Sequence, residues 1–349
     1  MRWARRVAGI VAVAGFLMGG GLAAAGEEKV VNVMSWGGDY EKQITQVLGP
    51  VFLKETGYRI QVFSKPSSAE MVATVRAQKN NPQIDVIVGD EGPQVGAPEL
   101  WVPGEFRDLP NMADMYPLAR IPNSSRVRAF AAACGILYDA KALKERGISP
   151  PMTWADLWRP EFKGKVAIAQ PANVYGYSIL VAAARLAGGS QQNVDPGFAK
   201  MRELLPNIAA VVRAASQLGD LFNTGGAWVG VYADPTAFRL HLKGMPVQFV
   251  HPKEGAFFVP LSIAVVKDSP HPEGAKRFLN LMLGTQAQQL WAENFGYGPL
   301  NKKAVLTGDA AEWLTYGPAR VEKLLPLDWE LMVRTLPSII DRWNAELGK

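Results

Sequence analysis

Short apolar strands alternate with helical segments along the chain, and this alternation limits the possible folds more than any other feature of the sequence. The strand KVVNVMSW precedes a helical stretch from Tyr40 to Glu55, which ends at Gly57. The strand YRIQVFS follows, then the helical SSAEMVATVRAQKN and a third strand, IDVIVGDEG. Strands that alternate with helices in this way predict an α/β fold with a mainly parallel sheet.

Polar or aromatic residues follow each of these strands. The carboxyl ends of parallel strands meet at one edge of a sheet, and in open α/β sheets the ligand crevice lies beyond that edge. We therefore expect a binding site built from the strand ends and from the helix starts that come after them. The candidates in this part of the chain are Ser35, Trp36, Gly37, Ser67, Ser68, Asp90 and Glu91.

The segment SWGGDYEK joins a strand, a glycine turn and a helix start. Such a turn can hold an anion, because backbone N–H groups and the helix dipole both attract negative charge there. The nucleotide-binding patterns G-x-G-x-x-G and G-x-x-x-x-G-K-[ST] are nevertheless absent from the sequence. The turn therefore gives little support to nucleotide binding.

A second α/β block follows an extended segment at residues 127–138 and contains TWADLWRPEFKGKVAIAQP, IAAVVRA and GGAWVGVYADPTAF. A buried strand then returns at FFVPLSIAVV, and an amphipathic helix pair follows it. A chain of 349 residues is long enough for about two domains. We therefore predict two lobes, joined by extended segments near residues 130 and 258. Residues 27–131 and 259–349 would form lobe 1, and residues 132–258 would form lobe 2.

The first 25 residues differ in kind from the rest. Three arginines among the first six residues precede an uncharged run at 7–22, which ends in three alanines. This pattern is typical of a secretory signal peptide, here residues 1–25, cleaved near Gly26. The alternative is a membrane anchor, but the apolar run is shorter than the roughly 20 residues of a membrane span. No cysteine follows the run, which disfavours a lipid-anchored N-terminus.

The composition, 48% hydrophobic and 20% charged, is that of a soluble globular protein. Loss of the three N-terminal arginines lowers the formal charge from +5 to +2, since 5 − 3 = 2. No basic stripe alternates with aromatic residues, so nucleic acid is a poor candidate partner. Cys134 is the only cysteine and cannot form an internal disulfide. Its apolar neighbours predict that it behaves as a small buried hydrophobe.

The residue patterns of the common enzyme classes are absent. None of the three histidines belongs to an H-E-x-x-H pattern, and no G-x-S-x-G sequence supplies a nucleophile. We therefore predict no catalytic residue, no metal ligand and no cofactor. A secreted lyase or hydrolase on a similar two-lobed scaffold is the alternative from another class, because a fold does not fix a function.

Aromatic side chains stand at strand ends and loops in both blocks. A small-molecule site is usually a concave, largely apolar pocket with a few polar groups. The distribution of these side chains therefore favours a binding cleft between the lobes. The aromatic candidates are Trp36, Tyr175, Tyr177, Tyr232, Phe257 and Phe258.

Six segments, SWGGDYEK, DVIVGDEG, TWADLWRPEFKGKVAIA, GGAWVGVYADPTAF, VHPKEGAFFVPLSIAVVKDSPHPEGAKRFLN and AENFGYGPLNKKA, carry a resemblance to a known family. The chain resembles the periplasmic solute-binding proteins of ABC importers, in the branch that includes spermidine and putrescine binders. The resemblance implies a type II periplasmic binding protein fold, in which two α/β lobes joined by a two-strand hinge close on a small solute. It also implies a periplasmic, non-catalytic protein that serves membrane permease subunits. We expect a monomer.

The sequence departs from the polyamine binders at two places where that family typically has carboxylates. The segment AQPANVYGYS is neutral, and Phe258 and Pro260 stand where a Trp and an Asp are expected. Ammonium groups need anionic or carbonyl partners when they leave water. A long polycation is therefore poorly served by this cleft.

Two charged residues of the second block suggest a different ligand. Arg213 could hold a carboxylate bidentately, and Asp234 could hold an ammonium group. The alternatives are a surface arginine and a helix cap. Together the two residues would suit a zwitterion such as an amino acid, and an amine or a short carboxylate is also consistent with the sequence. The competing polyamine hypothesis would use Asp39, Asp90, Glu91, Asp234 and Glu254. A ferric ion is disfavoured because the chain has no adjacent tyrosine pair.

Overall fold

We describe a computed structural model of the protein, which covers residues 29–348. The predicted signal peptide lies outside the described residues. Within the described range the strands are β1 Val30–Ser35, β2 Arg59–Ser64, β3 Val86–Asp90, β4 Val127–Asp139, β5 Val166–Ala169, β6 Ile208–Val212, β7 Val229–Ala233, β8 Val247–Val250, β9 Phe257–Val265 and β10 Gly298–Pro299.

The α-helices in the same range are α1 Asp39–Lys42, α2 Gly49–Thr56, α3 Ser68–Ala77, α4 Glu91–Val95, α5 Ala140–Glu145, α6 Val174–Leu186, α7 Asp195–Leu204, α8 Ala215–Asn223, α9 Asp234–Leu242, α10 Pro272–Leu283, α11 Thr285–Phe295, α12 Gly308–Trp313, α13 Pro318–Val321 and α14 Trp329–Glu346. A π-helical segment, Gln43–Leu48, joins α1 to α2 without a break. Short 3-10 turns occupy Pro98–Leu100, Pro110–Asp114, Pro117–Ala119, Trp154–Trp158, Pro160–Phe162 and Leu205–Asn207.

The strands form one sheet in the order β2-β1-β3-β9-β4-β7-β5-β6, and β8 and β10 both pair with β4. At one end β1 runs parallel to β2 and β3, and at the other end β5 runs parallel to β6 and β7. The two central strands, β4 and β9, run antiparallel to their neighbours. The sheet therefore contains two parallel α/β units connected by an antiparallel pair, which confirms the predicted two-lobed fold.

The antiparallel pair β4–β9 connects the two lobes. Residues of β4 from Val127 to Cys134 pair with β9, and the residues from Cys134 onward pair with β7. Cys134 lies at this crossover and is fully buried, as predicted. Both connecting strands lie close to residues 130 and 258, where the sequence predicted extended joints.

Local sequence signals determine where the helices next to these strands begin and end. Ser67 caps α3, because its side chain accepts a hydrogen bond from the Glu70 N–H over 3.2 Å. Gly57 ends α2 in the left-handed conformation with a φ of 73°, which costs glycine little. Both boundaries agree with those predicted from the sequence.

The apolar core has two main clusters that follow the two parallel units. Helices α10 and α11 pack in the cluster of β1, as expected for a chain that returns to lobe 1. The C-terminal helix contacts both units: it packs against α4, where Trp329 lies beside Gly92, and against α7. Trp329 and Trp343 lie on one stripe of α14 and are buried in the cluster of the second unit. Ion pairs of Arg202 with Glu346 and of Arg342 with Asp195 hold α14 against α7. The exact limits of the two lobes stay a prediction.

Candidate functional site

Asp90 is the last residue of β3 and stands at the carboxyl edge of the sheet. Its side chain has an exposed surface, yet surrounding protein removes enough hydration to raise the pKa of the carboxyl above its ordinary value. A hydrogen bond from Ser68 partly offsets that increase. Asp90 is therefore largely desolvated but still open to water.

Four tyrosines surround this position. Burial raises the pKa of each phenol, and the negative charge of Asp90 adds to the increase at three of them, Tyr40, Tyr175 and Tyr297. The fourth, Tyr232, has its ring centroid 4.2 Å from that of Tyr175. Tyr40 packs against the core of the first unit, Tyr175 and Tyr232 pack in that of the second unit, and Tyr297 packs against both. Residues of both units therefore line the space beside Asp90, which we call the tyrosine cleft.

The position of Tyr297 follows from the glycines on either side. Gly296 ends α11 with a φ of 78°, a conformation that disfavours other residues. Gly298 lies so close to the Thr315 carbonyl that a Cβ atom at this position would stand 1.9 Å from the oxygen. The sequence G-Y-G therefore brings the backbone into a tight turn and presents the phenol to the cleft.

A row of aromatic rings continues from the cleft toward lobe 1. The ring of Tyr40 is stacked on Phe295 at 4.2 Å, with an interplanar angle of 19°. The half-buried Trp36 lies 5.1 Å from Tyr40 on the other side. Gly37 allows this arrangement, since a Cβ there would approach Ser64 to 3.3 Å. The turn SWGG therefore forms a rim of aromatic character.

Arg239 supplies the positive charge of the tyrosine cleft. Its charge lowers, in part, the pKa values that burial raises at all four tyrosines. The guanidinium belongs to α9 of the second unit but donates a hydrogen bond over 2.9 Å to the carbonyl of Phe295, at the end of α11. Arg239 therefore joins the two lobes at the mouth of the cleft.

The sequence analysis named Asp90 and Glu91 together as candidate site residues, but their side chains lie in different environments. Glu91 is buried at 1% exposure and accepts hydrogen bonds from Arg128 and from the Ser262 hydroxyl. Arg126 lies 3.5 Å from the same carboxylate. Because these partners stand on or beside the two connecting strands, Glu91 holds the hinge region together.

Asp234 is also turned inward. It has no exposed surface and accepts hydrogen bonds from the Ala133 N–H, the Thr315 N–H and the Thr315 hydroxyl, over 2.7 to 2.8 Å. Burial raises the pKa of this carboxyl to about 7. These three donors tie α9 to β4 and to the segment after α12.

The other predicted residues lie in several environments. Ser68 and Asp90 are hydrogen-bonded, and Tyr175 and Tyr232 meet in the cleft. Arg213 is exposed after β6, at one end of the sheet. Ser35, Tyr177, Phe257 and Phe258 are buried at 2% exposure or less, and Ser67 serves as a helix cap.

Three residues of the site were not predicted from the sequence: Tyr40, Arg239 and Tyr297. Tyr297 had a usable signal, because an aromatic residue between two glycines often marks a constrained turn. Tyr40 and Arg239 have only ordinary helical contexts. Their roles depend on how the two lobes meet, which a local pattern does not contain.

Within residues 29–348 no group of three or more His, Cys, Asp or Glu residues is arranged to hold a metal ion. None of the helices there has the length and apolar character needed to cross a bilayer.

Two α/β lobes, an antiparallel strand pair between them and a polar–aromatic cleft at their junction define the class of type II periplasmic binding proteins. The sequence profile of the bacterial extracellular solute-binding protein family matches residues 51–317. The chain belongs to this family. It is a substrate-binding component of an ABC importer, a class whose members bind small-molecule solutes and pair with membrane permease subunits.

Relatives of known name extend over nearly the whole chain. The spermidine/putrescine-binding periplasmic protein of Escherichia coli is 24% identical over 360 residues, with 99% of this chain and 98% of the relative covered. A putative 2-aminoethylphosphonate-binding periplasmic protein of Salmonella typhimurium is also 24% identical, covering 91% and 92%. The crystal structure of an ABC transporter from Clostridium perfringens has a TM-score of 0.79 at 26% identity, covering 90% of this chain and 99% of that chain.

Proposed function

We propose that the protein captures a small solute with one ammonium group, which binds Asp90 in the tyrosine cleft as the lobes close. The observation that carries this proposal is the position of Asp90. Among the described residues it is the one carboxylate whose charge acts on the tyrosines of the cleft. An ammonium ion that left water would need such a partner, and the pairing would favour the ionised form of Asp90.

The aromatic rings around Asp90 support the same ligand class. Electron-rich faces attract cations, and phenol oxygens accept hydrogen bonds from ammonium groups. The four phenols keep their protons near neutral pH, because burial raises their pKa values. They can therefore donate hydrogen bonds as well, which suits a solute with both kinds of polar group.

The charge of the cleft favours a zwitterion over a polyamine. Asp90 contributes one negative charge and Arg239 one positive charge, whereas spermidine would bring several ammonium groups. Glu91 is paired with arginines and Asp234 is fully buried, so neither supports a second ammonium group. Both named relatives have an amine in their ligands, and the Salmonella relative is named for a zwitterion.

Calorimetric titration of the mature protein tests this proposal. We expect 2-aminoethylphosphonate or 4-aminobutyrate to bind more tightly than putrescine or spermidine. Asp90→Asn should weaken binding by tenfold or more, because a charge-assisted hydrogen bond contributes about 1.5 to 3 kcal/mol. Asp220→Asn is the matched control, since Asp220 is an exposed carboxylate on α8, outside the cleft. Tight spermidine binding that does not depend on Asp90 would refute the proposal.

The four phenols favour a second candidate, a ferric ion, which takes hard oxygen ligands. The raised pKa values oppose this, because a tyrosine must lose its proton to bind iron. Titration with ferric citrate distinguishes the candidates. A visible charge-transfer band that disappears in Tyr297→Phe would support iron, and an unchanged spectrum would support the amine.

We further propose that the protein is exported, has its signal peptide removed near Gly26, and acts as a monomer without catalysis. The apolar N-terminal run and the periplasmic relatives support export. N-terminal sequencing of exported protein should begin within about two residues of Gly26. Light scattering should give the mass of one chain, and the bound solute should be recovered chemically unchanged.

A further inference from the structure

A cavity of about 660 Å³ opens beside the tyrosine cleft. Tyr40 and Arg239 line the cavity and also belong to the cleft, so the two spaces adjoin. The remaining wall comes from Gly37, Asp39, Lys42, Gln43, Gln46, Val47, Asn294 and Phe295. A hollow of similar volume between α2 and α10 shares none of its lining residues with the cleft.

Gln43 lines this cavity and has a buried hydrogen-bond donor without a partner within residues 29–348. Its side chain is buried at 6% exposure, and its Nε2 atom has no partner among the described residues. The orientation of the amide is fixed by its neighbour. Asn294 Nδ2 donates to the Leu290 carbonyl over 3.0 Å, so this atom is the nitrogen, and it also donates to Gln43 Oε1 over 3.1 Å. The free atom of Gln43 is therefore the NH₂ group.

The helix that carries Gln43 is irregular at this point. The π-helical segment Gln43–Leu48 ends immediately before Gly49 and Pro50. Proline lacks an N–H and its ring crowds the carbonyl four residues earlier, which favours a wider turn. Single π turns inside α-helices frequently occur at functional sites. Here the irregular turn begins at the residue with the unused donor.

Arg239 has an unpaired charge on the opposite wall. Among the described residues no carboxylate lies within salt-bridge distance of its guanidinium. Its hydrogen bonds, to the Phe295 carbonyl and to Thr236 Oγ1, use two of five N–H donors. A half-buried guanidinium with unused donors is a good partner for an oxyanion. Lys42 contributes less, because it is exposed and paired with Asp39.

We propose that this cavity is a subsite for the acid group of the solute, where Gln43 Nε2 and Arg239 bind a carboxylate, phosphonate or phosphate oxygen. The inference rests on the proposed function, since the ammonium end of the same solute would lie at Asp90. It assigns the solute to the short-chain amino acids and aminophosphonates. Gln43 is then a specificity-determining residue, because an amide N–H donor favours an acid group over a second amine.

A charge change at Gln43 tests the subsite. Gln43→Glu keeps the oxygen that accepts from Asn294 and replaces only the free donor with an acceptor. The matched probes are 4-aminobutyrate and putrescine, which have similar lengths and differ in the charge of one end. We expect Gln43→Glu to lower the affinity for 4-aminobutyrate by about tenfold or more. The affinity for putrescine should fall less, or rise. Gln61→Glu, an exposed change on β2, should leave both affinities unchanged.

The outcomes separate this inference from the proposed function. If Asp90→Asn weakens both probes but Gln43→Glu leaves their affinity ratio unchanged, the ammonium site stands and the acid subsite is refuted. A different outcome is that neither probe binds, while methylphosphonate protects the wild-type protein from thermal unfolding but does not protect Gln43→Glu. In that case the acid subsite stands and the amine proposal fails. If methylphosphonate gives no such protection either, both are refuted. Circular dichroism of each variant verifies the fold.

Discussion

The hydroxyl of Ser68 donates a hydrogen bond to Asp90 Oδ2 over 2.8 Å and accepts one from the Asp90 backbone N–H over 3.0 Å. This double contact fixes the carboxylate at the end of β3 and favours its ionised form. Ser68 is the first residue of α3, so this contact links the start of that helix to the carboxylate of Asp90. The pKa of Asp90 therefore reflects burial, which raises it, and Ser68, which lowers it.

This relationship predicts a pH dependence of binding. An amine stays protonated across mildly acidic and neutral pH, so the carboxyl of Asp90 is the group that titrates. Ammonium binding should be strong above the pKa of Asp90 and decline as the pH falls through it. Ser68→Ala removes a bond to the charged form and raises that pKa further, so the decline should begin at a higher pH. At acidic pH the variant should bind about threefold or more weakly than the wild type.

Titrations with 4-aminobutyrate from about pH 5 to about pH 8 measure this effect. Ser64→Ala is the control, because Ser64 bonds the rim residue Glu41 over 2.7 Å. Superimposable pH profiles of wild type and Ser68→Ala would contradict the role of Ser68.

A second prediction concerns Arg213, which the sequence favoured as the partner of an acid group. Arg213 is exposed after the edge strand β6, and a solvated charge there is screened by salt. Arg213→Ala should therefore change the affinity for 4-aminobutyrate less than about twofold. Arg239→Gln should reduce it tenfold or more. A large loss in Arg213→Ala and none in Arg239→Gln would restore the sequence-based hypothesis.

A third prediction concerns the stability of the hinge. Removal of one partner from a buried ion pair leaves uncompensated charge, so Glu91→Gln should lower the free energy of unfolding by about 3 to 5 kcal/mol. Two guanidiniums, of Arg126 and Arg128, would lose their carboxylate. Urea denaturation measures the change. The control is Glu99→Gln, which breaks the exposed pair with Arg76 and should cost less than about 1 kcal/mol. Equal costs for the two variants would rule out this role of Glu91.

A fourth prediction follows from the buried carboxyl of Asp234. Its pKa is about 7 in the folded protein, above an ordinary value of about 3.9. Between these values the folded state holds a proton that the unfolded state has lost, so stability falls as the pH rises. About three pH units at roughly 1.4 kcal/mol each give a decrease of up to about 4 kcal/mol.

The slope of unfolding free energy against pH tests this. Asp234→Asn should flatten the decrease between about pH 4 and about pH 7, and Asp220→Asn, at an exposed site on α8, should retain it. A wild-type slope in Asp234→Asn would show that another group is responsible.

The comparison of Asp90 with Asp234 shows what the sequence can and cannot predict. Each residue lies where a buried strand gives way to a helix: Asp90 is the last residue of β3, and Asp234 is the first residue of α9, directly after β7. Their local patterns are therefore alike. Strand positions follow from apolar runs and turn residues, and those predictions were confirmed. Asp234 turns inward because Thr315, far along the chain, supplies two donors. No local pattern contains that contact.

The same reasoning applies to the lobes. The hinge strands were predictable because each is a continuous apolar run that interrupts an α/β block. The position of α14 was not, since its amphipathic stripe fits either lobe until the surface that receives Trp329 and Trp343 is known. The meeting of Tyr40 and Tyr297 in the cleft was likewise not predictable, because it depends on how the two lobes are assembled.

The insertion of β9 between β3 and β4 also governs when the protein can fold. Val86 pairs with Val265, so the sheet of the first unit is incomplete until most of the chain is available. Contacts so distant in sequence slow folding, because loop closure must precede the stabilising pairings. A chain that is exported while it is still unfolded would benefit from this delay. Because β9 pairs with both β3 and β4, we expect the sheet to be completed late in folding, after the export proposed above.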